Sequence, residues 1–346
     1  MTATILANPA VSELLSQLGH LFYYIVLPVL LLAAVGFVLQ RRLTLDMATL
    51  RVLNFYFVIP CIIYVSVVTS RVTPGDVGTV VLFTLAMMAV SSVLVYLAAV
   101  VRGVPADLRS ALLMTVIFHN TGNFGLPLQA LAFRPAGLSA EARSLQSFAM
   151  ITQNFTTFTF GILLAAGGGA GKDRHWKQNL MHIVKFPPLY ALAAGILTVQ
   201  VRTWLGPETS AEVLRALWPF WDVVVRIQNA FIAVALCTLG AQLALVRAGG
   251  KQYPITLSVI LRLLMAPAIG IGMVYLFGVR GFLAQMLLIS TCNPTAVNCM
   301  MLCLEFDNHP DFAAKAVFYS TLLSPITVTG VIFLAQSGIL PGFAIQ

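Results

Sequence analysis

The stretch Phe118-His119-Asn120-Thr121-Gly122-Asn123-Phe124-Gly125-Leu126-Pro127 interrupts a segment that is otherwise apolar enough to cross a bilayer. The stretch Thr291-Cys292-Asn293-Pro294-Thr295-Ala296-Val297-Asn298 does the same in the second half of the chain. Carboxamides, prolines and glycines there unwind a helix and free backbone polar groups, which are tolerated at membrane depth only where they line a protein-buried cavity. A pair of interrupted spans, one in each half, is the best sequence indication of a secondary transporter's binding site.

The composition predicts an integral membrane protein. Of the 346 residues, 59% are hydrophobic and 9% are charged, whereas a soluble domain carries about 25% charged residues. The net charge of +8 indicates basic cytoplasmic loops that face anionic lipid. Because no basic patch is interleaved with exposed aromatic residues, we expect membrane lipid as a partner and no nucleic acid.

The cysteines predict neither a disulfide nor a metal site. Cys299 and Cys303 are four residues apart, but no histidine or second cysteine pair completes a ligand set. We therefore expect buried thiols, no metal and no cofactor. We expect the other three cysteines, which also lie in apolar stretches, to be buried thiols too: Cys61, Cys237 and Cys292.

Ten segments reach the length of about 20 apolar residues that a spanning helix needs. No charged leader or cleavage site precedes the first, so we expect no removable signal peptide. Residues 1–167 are predicted to form a first repeat of five spans, 168–179 a cytoplasmic linker, and 180–346 a second repeat. The predicted spans are 18–40, 47–69, 76–101, 108–133, 144–167, 180–201, 216–246, 254–278, 281–304 and 311–337.

Loop charges and a repeated motif predict how the two halves are related. Loops on one side would hold 12 Lys and Arg residues and loops on the other side 6. The richer side is cytoplasmic, so both termini should be extracytoplasmic. An odd number of spans per half makes the halves inverted copies. Residues 119–123 align with 294–298, both in the fourth span of their half, and the spans that follow carry matching Thr and Gly residues: Thr157, Thr159 and Gly161, and Thr327, Thr329 and Gly330.

Each interrupted span starts a new half-helix near the bilayer midplane. Such a start exposes free N–H groups and partial positive charge, which favour anions. Two inverted copies would bring two starts together, so the site could hold a carboxylate without a fixed cation and release it again. The predicted helix-breaking residues are Gly122, Gly125, Pro127 and Pro294. The predicted substrate-binding residues are Asn120, Thr121, Asn123, Asn154, Asn293, Pro294, Thr295 and Asn298.

The alternative is that these Asn and Thr side chains only hold helices together, with about 0.6–2 kcal/mol per contact. Ionisable residues within spans are further candidates, for coupling or charge balance. His119 could carry a proton or simply pack. Asp222 and Arg226 share a helix face, either as a structural ion pair or as a coupling site. Arg262 could extend to the cytoplasmic surface or balance the negative charge of the substrate.

Two regions resemble the auxin efflux carrier family. The run from Asn120 to Leu128 is similar to its fourth-span signature. The stretch from Pro294 through Glu305-Phe306 and His309-Pro310-Asp311 to Ser320-Thr321-Leu322-Leu323-Ser324-Pro325-Ile326-Thr327 is similar to its ninth and tenth spans. The short linker resembles that of bacterial members and not the long loop of plant PIN-FORMED exporters. One departure is His119, which stands where the plant pattern has proline.

The resemblance implies an all-α integral membrane protein of ten spans in two inverted five-helix repeats. Spans 1, 2, 6 and 7 would form a scaffold that mediates homodimerisation. Spans 3–5 and 8–10 would form a transport domain, with the broken fourth and ninth spans crossing in an X. The resemblance also implies a carboxylate substrate, either auxin-like or a small dicarboxylate, and a location in the bacterial inner membrane. The family's fourth-span asparagine corresponds to Asn120 and its crossover proline to Pro294.

The sequence thus predicts a secondary carrier of a small organic anion, working by an elevator-type shift and driven by a proton or sodium gradient or by the membrane potential. An antiporter of similar fold would need acidic residues at the crossing, and neither interruption contains one. An intramembrane enzyme would depend on His119 near Cys292 and Cys299, so we expect no enzyme. An anion-binding membrane sensor would use the same pocket and stays open.

Overall fold

A computed structural model describes residues 9–168, 187–246 and 253–345. Within these ranges the regular structure is helical, with a single isolated antiparallel bridge between His119 and Thr295. The helices are α1 Pro9–Leu21, α2 Leu27–Leu43, α3 Met47–Val52, α4 Ile59–Thr69, α5 Pro74–Val101, α6 Arg109–Ile117, α7 Leu126–Ala132, α8 Ser139–Thr156, α9 Ile162–Gly168, α10 Pro187–Leu205, α11 Pro207–Ala216, α12 Trp218–Ala244, α13 Tyr253–Ile260, α14 Ala266–Leu276, α15 Gly281–Thr291, α16 Val297–Glu305 and α17 Pro310–Gln336.

Five turns of π-helix precede helices α2, α4, α7, α9 and α14. Four of these helices carry proline as their second residue, at Pro28, Pro60, Pro127 and Pro267. Proline has no N–H to donate and its ring clashes with the carbonyl four residues earlier, so the turn before it widens to the π form. Four of the five turns continue a preceding helix, so they let long spans bend without a break. The fifth, Thr121–Gly125, begins a new helical run after the first interruption.

Six described segments are long and apolar enough to cross a membrane: Leu15–Leu43, Pro74–Val101, Ser139–Ala166, Trp218–Ala244, Tyr253–Leu276 and Pro310–Gln336. Tyr56–Thr69 and Gly281–Thr291 are shorter apolar helices. These segments describe a multi-pass membrane protein. Helix α11 was not expected, because its polar sequence was assigned to a loop. The linker after Gly168 and the start of the sixth predicted span lie outside the described residues, and the ten-span inverted repeat stays a prediction.

Both predicted interruptions are present. Helix α6 ends at Ile117 and helical structure resumes at Thr121, while α15 ends at Thr291 and α16 begins at Val297. In the first interruption the extended residues precede Pro127, which lies in the first turn of α7. Pro127 therefore starts a helix instead of breaking one, since its fixed φ suits the first turn. Gly122 and Gly125 lie in the π turn between the extended peptide and α7.

Helices α2 and α12 pack with their backbones in direct contact. A Cβ built on Gly240 would lie 1.7 Å from the carbonyl oxygen of Ala33, and one built on Gly36 would lie 1.9 Å from that of Cys237. Small residues at a crossing let two membrane helices approach closely. Helix α12 also packs against α4, and this group borders the region that contains the interruptions.

Candidate functional site

The two unwound peptides pair with each other. The backbone N–H of Asn120 donates to the carbonyl of Pro294 at 2.7 Å, and the N–H of Ala296 donates to the carbonyl of Phe118 at 3.0 Å. An unpaired backbone group away from water costs as much as a lost hydrogen bond. The mutual pairing therefore explains how both helices can be open in the protein interior, and it fixes the interruptions against one another.

A first cavity lies beside this crossing. The helical run that starts at Thr121 and helix α16 both point their N-terminal ends at it, because residues 120–123 and 296–298 line it. Helix α8 lines the cavity next to the crossing, and helix α12 lines it on the other side. Of the described residues that line it, those other than His119 carry no ionisable group: Asn120, Thr121, Gly122, Asn123, Met150, Gln153, Asn154, Thr157, Gln242, Ala296, Val297, Asn298 and Met301.

Five of the eight predicted binding residues line the first cavity: Asn120, Thr121, Asn123, Asn154 and Asn298. The other three line neither this cavity nor the second one described below. The hydroxyl of Thr295 donates to the carbonyl of Thr115 at 2.7 Å, and the carbonyl of Pro294 belongs to the backbone pairing. Asn293 is fully buried, and neither of its amide atoms has a hydrogen-bond partner in the described part of the chain.

The carboxamides of the first cavity are partly committed to each other. Asn298 donates from Nδ2 to Oδ1 of Asn154 at 3.3 Å. Asn54, from the π turn before α4, donates from Nδ2 to Oδ1 of Asn123 at 2.8 Å. The Nδ2 group of Asn120 is buried, and the described residues offer it no acceptor. This donor is therefore available to a bound acceptor.

Gln153 holds the first interruption open, although it is not among the predicted substrate-binding residues. Its Nε2 donates to the carbonyl of His119 at 2.5 Å and to Oγ1 of Thr121 at 3.3 Å, while its Oε1 accepts the N–H of His119 at 3.3 Å. A carboxamide carries a donor and an acceptor and so can imitate a strand partner. The only sequence signal was its place next to Asn154 in an otherwise apolar span.

Gly125 permits a close approach at the back of the crossing. A Cβ at this position would lie 2.7 Å from Nδ2 of Asn293 and 2.7 Å from Nε2 of Gln146. Gln146 in turn donates to the carbonyl of Thr121 at 3.1 Å. A side chain on Gly125 would push these amides away from the unwound backbone.

A second cavity lies at the opposite ends of the broken helices. Ile117 and Thr291, the last residues of α6 and α15, line it together with Arg262 and residues of α5. Arg262 is 2% exposed. Its guanidinium donates to the carbonyl of Val116 at 2.8 Å and also to the carbonyl of Thr291.

Arg262 therefore does not extend to the membrane surface, which was one of its two sequence-based interpretations. The last carbonyls of a helix have no partner within the helix and carry partial negative charge. A buried cation between two such ends satisfies both. Asp222 and Arg226 form an i, i+4 pair at 2.6 Å with Arg226 75% exposed, and neither lines either cavity.

Comparison with known proteins identifies the class of protein. The family model described as membrane transport protein matches residues 21–332. A protein of Methanothermobacter thermautotrophicus described as an uncharacterized transporter is 26% identical over 309 residues, which are 88% of this chain and 95% of that protein. The match to the family model includes both interruptions and the helices on either side of them. The chain belongs to the membrane transport protein family, the family of the auxin efflux carriers.

Proposed function

We propose that this chain is a secondary transporter that carries a small organic anion, bound by its carboxylate in the first cavity. The observation that supports this most is the meeting of two helix N-termini at a cavity lined by carboxamides and free of acidic side chains. Asn120, Asn123, Asn154 and Asn298 would orient the carboxylate. The unpartnered Nδ2 of Asn120 is the donor most ready to bind it.

The charge balance of the crossing favours a single negative charge on the bound group. A helix terminus carries about half an elementary charge, so two N-termini present about +1 to the first cavity. The two C-termini at the second cavity sum to about −1, and Arg262 offsets them locally. The N-terminal side has no corresponding counter-charge among its lining residues, and a carboxylate would supply it.

The position of the first cavity suits alternating access. One wall comes from the crossing and from α8, and Gln242 on α12 contributes the opposite wall. In the proposed arrangement α12 belongs to a dimeric scaffold, and the crossing belongs to a transport domain that shifts past it as an elevator. The hydrogen bond from Asn54 to Asn123 would then cross the sliding interface and would have to break in each cycle.

The first test is a thermal-shift screen of acetate, lactate, malonate, succinate and indole-3-acetate on the purified protein. We expect at least one of these anions to stabilise wild type. Asn120→Ala and Asn298→Ala should weaken that anion's affinity about tenfold, the cost of about 1.4 kcal/mol expected for lost hydrogen bonds to a charged group. Ser337→Ala, at the end of α17 and away from the crossing, is the control.

Transport is tested separately by counterflow of the radiolabelled binder in proteoliposomes. A carrier exchanges external label against internal unlabelled anion, whereas a sensor that binds the anion without moving it gives no exchange. If none of the five anions stabilises the protein, or if both asparagine variants bind as wild type does, the assignment of the first cavity fails.

A further inference from the structure

His119 is the side chain that lines both cavities. Its peptide group is fixed on both sides by Gln153, so the ring stays at the crossing. Ring atom Nδ1 lies 3.4 Å from the carbonyl of Ile117. The tautomer with its hydrogen on Nδ1 can donate to this carbonyl, and it leaves the lone pair of Nε2 free to take up a proton.

Among the described residues that line the two cavities, the formal charge that faces this ring is positive. Arg262 is the other ionisable residue that lines either cavity, and the two helix N-termini of the first cavity add partial positive charge. The elements packed around the ring offer otherwise neutral groups: Phe83, Thr84, Met87, Met88 and Ser91 from α5, Gln153, Asn154 and Thr157 from α8 and the turn that follows it, Gln242 from α12, and Leu287, Ser290 and Thr291 from α15.

In the empty site an added proton on His119 therefore meets the positive charge of Arg262 and of the two N-termini, while Arg262 offsets the partial negative charge of the two C-termini. A carboxylate in the first cavity reverses this, because it places a negative charge beside the ring, which lines that cavity. Opposite charges within a few ångströms favour the ionised form of both groups. The arrangement makes the ring a sensor of whether the cavity is loaded.

We propose that His119 takes up one proton together with the anion, so that the carrier moves the two as a symporter. This inference rests on the proposed function and adds its coupling ion. The proton passes from water to Nε2 on loading and returns to water when the anion leaves on the other side. The pair of anion and imidazolium is neutral, so the loaded domain crosses the membrane without the charge that the anion alone would carry.

Linkage gives the expected pH dependence. If the anion promotes protonation of His119, protonation must strengthen anion binding by the same factor. Affinity is then highest at low pH and falls as the pH rises. Over the range in which the loaded ring is protonated and the empty ring is not, the dissociation constant increases by up to about tenfold per pH unit, because one proton accompanies one anion.

The test measures the dissociation constant of each of the five anions that binds wild type, between about pH 5.5 and 8.5, the range in which histidine changes charge. We expect a rise of up to about tenfold per unit in wild type, and in His119→Gln only the change that the anion's own ionisation causes. The difference between the two profiles removes the anion's own ionisation. His309→Gln is the matched control, since His309 pairs with Asp107 at 3.3 Å outside both cavities.

A flat wild-type profile, or an equal slope in wild type and His119→Gln, would overturn the proton coupling and leave the proposed anion site intact. Loss of the slope in His309→Gln would also overturn it, because the proton would then bind at the surface pair. Failure of all five anions to bind at any pH overturns the proposed function, and the coupling with it. A second readout is proton uptake by unbuffered protein on mixing with the anion, which should occur in wild type and not in His119→Gln.

Discussion

Replacing Arg262 by methionine tests whether this side chain stabilises the crossing by binding two helix ends. The substitution leaves the carbonyls of Val116 and Thr291 without their donor. Each buried acceptor left unpaired costs about 1–3 kcal/mol, or about 2–6 kcal/mol for two. Part of this is recovered because methionine does not have to be desolvated as a cation. We expect a net loss of about 2–4 kcal/mol in the free energy of unfolding.

Arg262→Lys should give roughly half of this loss, because an ammonium lacks the planar fork that reaches two acceptors at once. The assay is reversible unfolding in mixed detergent micelles, followed by circular dichroism. Arg226→Met is the matched control: its partner Asp222 is one turn away on the same helix and Arg226 is 75% exposed, so no buried carbonyl loses its donor and stability should change much less. Equal unfolding midpoints for Arg262→Met and Arg226→Met would refute the argument that Arg262 joins the two ends.

Two glycine substitutions test the close approaches of the fold with the same unfolding assay and the anion-binding screen. Gly240→Ala should lower the free energy of unfolding by about 3 kcal/mol, because its Cβ would lie 1.7 Å from a backbone oxygen of the facing helix. Gly272→Ala, with nothing within 4 Å, should be neutral or slightly stabilising, and an equal loss in both would contradict the packing. Gly125→Ala should weaken anion binding about tenfold by displacing the two amides 2.7 Å from its Cβ, whereas Gly330→Ala, also in open space, should not.

The interruptions themselves could be predicted from sequence because they are local. Each combines several carboxamides and small residues with a proline within a few positions, which weakens an apolar helix at that point. The exact break was harder to place. Pro127 marks it in the sequence, yet the extended residues are Phe118 to Asn120, since proline suits the start of the helix that follows. Local preference fixes that a break exists, and the pairing with Pro294 fixes where.

The orientation of side chains across the crossing could not be predicted from sequence. Asn293 and Asn298 are five residues apart and equally polar, but only Asn298 faces the first cavity. Asn293 lies in the extended peptide, where successive side chains alternate between faces, and it turns toward Gly125. The role of Gln153 depends on a distant peptide 34 residues earlier. Such contacts follow from how helices meet, which periodicity within one span does not encode.

The role of Arg262 shows why a buried charge is informative only with its partners. In the sequence it was a candidate to answer the substrate's charge, and that role would place it among the N-terminal ends. It lies instead at the C-terminal ends, where it meets partial charges of the opposite sign. If Arg262 lined the first cavity, its full charge would add to the two N-termini and hold a carboxylate too firmly for release. Because Arg262 neutralises the C-terminal ends instead, only helix dipoles and amides bind the anion. In the proposed mechanism that binding is weak enough for one proton on His119 to change the affinity. The proposed coupling therefore depends on the position of Arg262 outside the first cavity as well as on its hydrogen bonds to the two helix ends.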